Sequence, residues 1–170
     1  MLQPPTLSGI EVDVSILAQL FPVQSKANAL NAQMSSELYN ATVTVGNASS
    51  LPKVLVTYDA DTDGYWTYGP GTFGQSLIEF AGGSSIAANS TFSYPELSPE
   101  QVLDADPQLI VYGTGFGLNL TFYEAGPLWS SFPAVENGNI TGMDSNWLTE
   151  PDPTMILTGL PALIAIFHPA

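Results

Sequence analysis

Lys53-Val54-Leu55-Val56-Thr57-Tyr58 and Gln108-Leu109-Ile110-Val111-Tyr112 are the two stretches that decide the fold. Each is a short run of β-branched, aliphatic and aromatic residues without polar alternation, the pattern of a strand buried on both faces. Helical signals lie between them. Thr72 stands where it caps a helix over Phe73 to Ala81, which Gly82-Gly83 ends. Ser98 precedes Pro99 at the first helical position, with Glu100 and Gln101 in the first turn, and Asp106-Pro107 stops that helix after Ala105. A third, weaker strand is expected over Asn139-Ile140-Thr141-Gly142-Met143. Strands alternating with helices require crossover connections. The fold class is therefore α/β: a three-layer sandwich around a mainly parallel sheet.

Outward from this centre the pattern is helical at both ends. Ile10 to Leu20 reads as a short helix broken by Pro22. From Ser25 to about Thr42, Ala27, Leu30, Met34, Leu38 and Ala41 recur at spacings of three and four. Phe122 to Ser131 reads as a short helical segment, and a final helix is expected from Asp152 to Phe167. Its apolar run, Met155 to Phe167, contains Gly159 and Pro161 and is too short to span a bilayer. In parallel α/β sheets the ligand crevice is formed by loops leaving the carboxyl ends of the strands. Those loops are residues 59–71, 113–118 and 144–150. They carry Trp66 and Tyr68, Phe116, and Trp147, rings suited to the flat apolar face of a large ligand, or to packing the loops onto the sheet.

Composition removes several function classes. Lys26 and Lys53 are the two basic residues against sixteen acidic ones, a formal net charge of -14, so no patch exists to displace counterions from nucleic acid. Cysteine is absent, and His168 is the single histidine, which leaves no thiolate metal site and no nucleophile–histidine triad. Gly113-Thr114-Gly115-Phe116-Gly117 follows a strand but lacks the Gly-Lys-Ser/Thr of a phosphate loop. Carboxylate pairs such as Asp104/Asp106 or Glu79/Glu96 have nothing in the sequence to bring them together. The chain reads as a binding module without catalysis and without a cofactor. Asp59-x-Asp61-x-Asp63-Gly64 matches the first half of a calcium loop, yet Pro70 occupies the twelfth position, where a bidentate glutamate belongs. A solvated acidic turn is the other reading.

The same composition points outside the cell. Only 11% of residues are charged while 45% are hydrophobic, and the isoelectric point is near 4.1. A chain with few Lys or Arg avoids the positive self-repulsion that unfolds proteins in acid, as an acidic exterior would demand. Five glycosylation sequons, at Asn40, Asn47, Asn89, Asn119 and Asn139, exceed the one or two that chance would give. They imply a glycosylated, cell-exterior surface, with chance enrichment on a Ser/Thr-rich surface as the alternative. Met1-Leu2-Gln3-Pro4-Pro5 has neither the basic region nor the apolar run of a leader, so a fragment without its leader is expected if the protein is exported.

Several pieces, in order, resemble one family. After strand Lys53–Tyr58 come Tyr68-Gly69-Pro70-Gly71-Thr72-Phe73 and Leu77-Ile78-Glu79-Phe80-Ala81-Gly82-Gly83. Then follow Tyr94-Pro95-Glu96-Leu97-Ser98-Pro99-Glu100-Gln101-Val102-Leu103 and Asp106-Pro107-Gln108-Leu109-Ile110-Val111. Leu128-Trp129-Ser130-Ser131-Phe132-Pro133-Ala134-Val135, Asp144-Ser145-Asn146-Trp147 and Phe167-His168-Pro169 complete the series. This resembles the C-terminal lobe of class III, helix-hinged substrate-binding proteins of ABC importers, the group of cobalamin, haem and iron-siderophore binders. The resemblance implies that residues 1–50 are the interlobe connecting helical segment and 51–170 the C-terminal α/β lobe. It implies a small-molecule chelate or corrinoid ligand held in a cleft against a missing N-terminal lobe. It also implies an ABC permease in the membrane, met by Glu100, and an extracellular, membrane-tethered full-length protein. Asp152-Pro153 departs from the pattern, standing where the family commonly carries an arginine. A secreted or surface structural domain that keeps the fold without ligand transport is the alternative.

Overall fold

Val54, Leu55, Val56 and Thr57 are buried in succession, as a strand covered on both faces must be. They form the middle of β1 (Lys53–Ala60) in a computed structural model that describes residues 4–169; the opening Met1-Leu2-Gln3 and the final Ala170 lie outside the described residues. β1 runs parallel to β5 (Leu109–Thr114), with Val54 opposite Leu109 and Thr57 opposite Tyr112. β5 runs parallel to β6 (Ile140–Asp144), from Ile110 opposite Ile140 to Thr114 opposite Asp144. β6 is an edge strand and accordingly half exposed.

One part of the acidic stretch departs from the loop that the sequence implies. Tyr65–Thr67 turns back as β2, antiparallel to β1, with an irregularity between Thr57 and Asp59. Asp61 makes the turn: its Oδ1 accepts the N–H groups of Asp63 (2.8 Å) and Gly64 (3.2 Å), and its own N–H donates to the Gly64 carbonyl at 3.0 Å. Two further short strands were not expected. β3 (Ser84–Ser85) lies parallel beside the start of β1, and β4 (Glu96–Leu97) pairs antiparallel with β2. The sheet order is β4-β2-β1-β5-β6, mostly parallel, with an antiparallel wing.

Alternation along the strands divides the core. Val54 and Val56 face a cluster with Met34 and Leu38 of α2 (Gln24–Gly46), Ile78 of α3 (Phe73–Phe80) and Leu163 of α8 (Leu160–Phe167). Leu55 and Ile110 face the opposite cluster, with Val102 of α4 (Pro99–Ala105), Tyr123 of α5 (Leu120–Glu124), Trp129 in a 3-10 turn (Trp129–Ser131), Phe132, and Ala134 of α6 (Pro133–Glu136). Helices thus cover both faces. α1 (Leu7–Leu20) folds against the 23-residue α2, and the turn joining them leaves Leu20 71% and Phe21 60% exposed.

The expected last helix is two pieces. Residues 155–159 form a π turn in which the Leu160 N–H reaches the Met155 carbonyl, and α8 continues from it. Pro161, without an N–H, cannot supply the ordinary bond back to Leu157, which permits the wider turn. α4 forms as its sequence dictates. Ser98 accepts from the Gln101 N–H while the Gln101 side chain accepts from the Ser98 N–H, and Asp106 ends the helix at φ 47°.

Candidate functional site

β1, β5 and β6 deliver their carboxyl ends, at Ala60, Thr114 and Asp144, to one rim of the sheet. Trp66 sits on β2 opposite Asp59, half-buried, and its Nε1 donates to Asp61 Oδ2 at 3.3 Å. Phe116 follows β5 at the tip of a tight turn. Gly115 and Leu118 exchange backbone hydrogen bonds of 3.0 and 2.8 Å, and Phe116 adopts φ 54° between two glycines that also have positive φ. Its ring is 78% exposed. A phenylalanine pays for both the left-handed backbone and the exposed ring, so this turn presents apolar surface rather than hiding it.

Trp147 lies on α7 (Ser145–Thr149), a helix inside the segment expected to be a loop. Asp144 caps α7, its Oδ1 accepting the Asn146 N–H at 2.9 Å. The ring of Trp147 is half-buried against the core, and a Cβ added at Gly159 would stand 3.0 Å from the Trp147 Cβ and 3.2 Å from its carbonyl oxygen. The absence of a side chain at 159 therefore sets how closely α7 seats on the π turn.

Tyr68 is a core residue, which corrects the expectation that it lines the crevice. Its ring is 2% exposed and lies where a Cβ of Gly74 would be, and its hydroxyl donates to the Leu148 carbonyl at 2.7 Å. It ties the end of β2 to α7 and so positions Trp147 from below. Tyr58 packs at a tilt on Tyr68 with ring centroids 4.7 Å apart, and burial pushes the Tyr58 hydroxyl up to about 12.

The sequence reading missed Tyr94. Its ring is 47% exposed, packs edge-on to Tyr68, and with Phe73, Thr72, Thr149 and Glu150 lines a cavity of about 720 Å³. The residue stood within a recognised motif, but nothing local showed that its segment folds onto the rim.

The acidic residues regroup. Asp61 and Asp63 meet Glu96 of β4, all within 4.8 Å, whereas Asp59 bends to accept the neighbouring Ala60 N–H. The expected Asp59/Asp61/Asp63 set is therefore not the one that the fold assembles. The neighbouring Asp61 carboxyl raises Glu96, while backbone N–H donors from the turn lower Asp61. Glu100 is exposed in the first turn of α4; the helix-start backbone and the Ser98 hydroxyl, donating at 2.9 Å, hold its carboxyl below the usual range. All five sequon asparagines are exposed, though Asn119 also caps α5 and Asn47 donates to the Val43 carbonyl.

Comparison with known proteins fits this architecture. The family described as "Periplasmic binding protein" matches residues 1–147. The chain belongs to the periplasmic binding protein family. A cobalamin-binding protein of Halobacterium salinarum is 37% identical over 102 residues, covering 55% of this chain and 27% of that protein. A protein described as an ABC-type Fe3+-hydroxamate transport system, from Saccharomonospora viridis, superposes with a TM-score of 0.82 at 22% identity, covering 96% of this chain and 56% of that one. The periplasmic haem-binding protein RhuT of Roseiflexus sp. RS-1 gives 0.76 at 22% identity, over 96% and 65%. The two structural likenesses show the fold, and this periplasmic binding protein chain spans only part of each relative. Those relatives are named for binding or transport, not for a reaction. Among the described residues no helix is long and apolar enough to cross a membrane.

Proposed function

We propose that this chain is the C-terminal lobe, with its connecting helices, of an extracytoplasmic solute-binding protein serving an ABC importer of the cobalamin, haem and iron-siderophore class. Residues 1–50 are the connecting segment and 51–170 the lobe. The observation that carries the reading is the placing of Trp66, Phe116 and Trp147 after the carboxyl ends of the three parallel strands, with Phe116 held out in a strained turn. Aromatic faces on a rigid rim bury a flat chelate or corrinoid at low conformational cost. A second lobe closes over the ligand from the other side. Glu100, charged and exposed, meets basic groups of the membrane permease, and the full-length protein is tethered at the cell surface. Tryptophan fluorescence tests the site. Cyanocobalamin or a ferric hydroxamate quenches the emission of the chain, and Trp66→Ala and Trp147→Ala each weaken the titration at least about threefold. Absence of quenching by either ligand at millimolar concentration favours a structural domain that keeps the fold without transport.

A further inference from the structure

The charge on the rim has one sign. Asp59, Asp61 and Asp63 follow or close β1, Asp144 closes β6, and Glu150 ends α7, all exposed. Neither lysine is near them in the fold. Lys53 opens β1 at the opposite end of the strand and donates to the Ala105 carbonyl at 2.9 Å, while Lys26 lies on the α1–α2 hairpin beside Leu17, Phe21 and Val23. His168 is also elsewhere, in a cavity with Ser49, Pro52 and Gln108 beyond the amino ends of β1 and β5.

The second observation concerns the helix starts. In parallel α/β folds the crevice gains positive potential from helix N-termini, whose free N–H groups take anions. Here three helices that start at the rim each have one first-turn N–H taken up by a capping side chain. Thr72 Oγ1 accepts the Gln75 N–H of α3 at 3.1 Å, Asn119 Oδ1 accepts the Phe122 N–H of α5 at 3.0 Å, and Asp144 Oδ1 accepts the Asn146 N–H of α7 at 2.9 Å. The cap on α7 is itself a carboxylate. Among the described residues the rim therefore offers an anion no basic side chain, its helix starts are partly occupied by their own caps, and it sets several carboxylates around the aromatic rings.

We propose that the solute lays an uncharged or cationic face on this rim and that anionic solutes are rejected there. This selects, within the class proposed above, neutral or cationic corrinoids and hydroxamate-type chelates over polycarboxylate corrinoids and tris-catecholate complexes. The inference rests on the crevice reading and adds to it the sign of charge that the crevice accepts.

The test uses two ligand series that hold the body and vary the charge. The corrinoids are aquacobalamin (cation), cyanocobalamin (neutral) and the heptacarboxylate dicyanocobyrinic acid. The ferric chelates are ferrioxamine B (cation), ferrichrome (neutral) and a ferric tris-catecholate (anion). Each is titrated into the chain at neutral pH and followed by amide chemical shifts, which register weak binding. In both series the anion binds at least about fivefold more weakly than the neutral member, the scale of a few exposed like charges in water. The gap closes to within about twofold in 1 M salt, where the screening length is about 3 Å. Asp144→Asn, which keeps a capping side chain and removes the charge, narrows the gap at low salt. An anion that binds as tightly as its neutral counterpart overturns the charge inference while leaving the crevice in place. Failure of all six ligands to shift the rim amides overturns the crevice reading beneath it.

Discussion

Replacing Tyr68 by Phe separates the two roles that this residue has been given. The hydroxyl is buried and donates to the Leu148 carbonyl at 2.7 Å, linking segments 80 positions apart in sequence. Tyr68→Phe keeps the ring, which Gly74 accommodates by having no side chain, and removes the donor. Leu148 is 0% exposed, so water cannot readily reach its carbonyl. Leaving one buried acceptor without a partner costs about 1–3 kcal/mol. For a chain of this size that corresponds to a melting point lower by roughly 3–10 °C. Urea denaturation followed by circular dichroism gives the free energy. An unchanged m-value shows that the native and unfolded states keep their extents of exposure. Because this bond is one of the anchors of α7, its amides exchange faster with deuterium and Trp147 emission shifts to longer wavelength. A stability change under about 0.3 kcal/mol, with weakened ligand binding instead, refutes the argument and restores Tyr68 to the crevice.

Gly159→Ala forces a Cβ to within 3.0 Å of the Trp147 Cβ, so it costs about 1–3 kcal/mol in a urea melt and displaces the Trp147 signal without touching Trp66. In alkaline titration, absorbance at 295 nm shows that Tyr58 and Tyr65 ionise near 12 rather than at the ordinary 10.0, chiefly because burial disfavours the phenolate. Their folded values lie above their unfolded values, so their contribution is intact below pH 10 and is lost as pH rises from 10 towards 12; stability measured across that window falls. Glu96, raised above its ordinary 4.5 by the neighbouring Asp61 carboxyl, contributes stability that is present in acid and lost as pH rises through its folded value. Glu96→Gln removes that loss. Relative to the parent chain, the variant is therefore more stable at pH 7 than at pH 4, and a difference of opposite sign counts against the pair.

The residues that were legible in sequence are those whose constraint is local. Val54 to Thr57 had to be a two-sided strand because four consecutive buried positions admit no exposed face, and α4 had to start at Ser98 because its capping box lies within four residues. β2 escaped because Tyr65–Thr67 offers only three residues, and its pairing depends on the Asp61 turn and on β4, thirty positions further along. Tyr68 was misplaced for a related reason. Within a presumed loop no period says which way a ring points, whereas its burial comes from Gly74 and Leu148. α7 carried a signal that went unread, since Asp144 before Ser145-Asn146 is a capping residue before a short helix. The acidic trio changed membership because Glu96 reaches Asp61 only through the β2–β4 pairing.

The carboxyl rim is the surface proposed to receive the solute. The most direct measurement is a map of amide chemical-shift changes on titrating cyanocobalamin into the isotopically labelled chain. Shifts concentrated in residues 59–66, 113–118 and 144–150, saturating together, are the expected result. Shifts centred on Ser49, Gln108 and His168 at the other end of the strands, or spread evenly over the surface, contradict it.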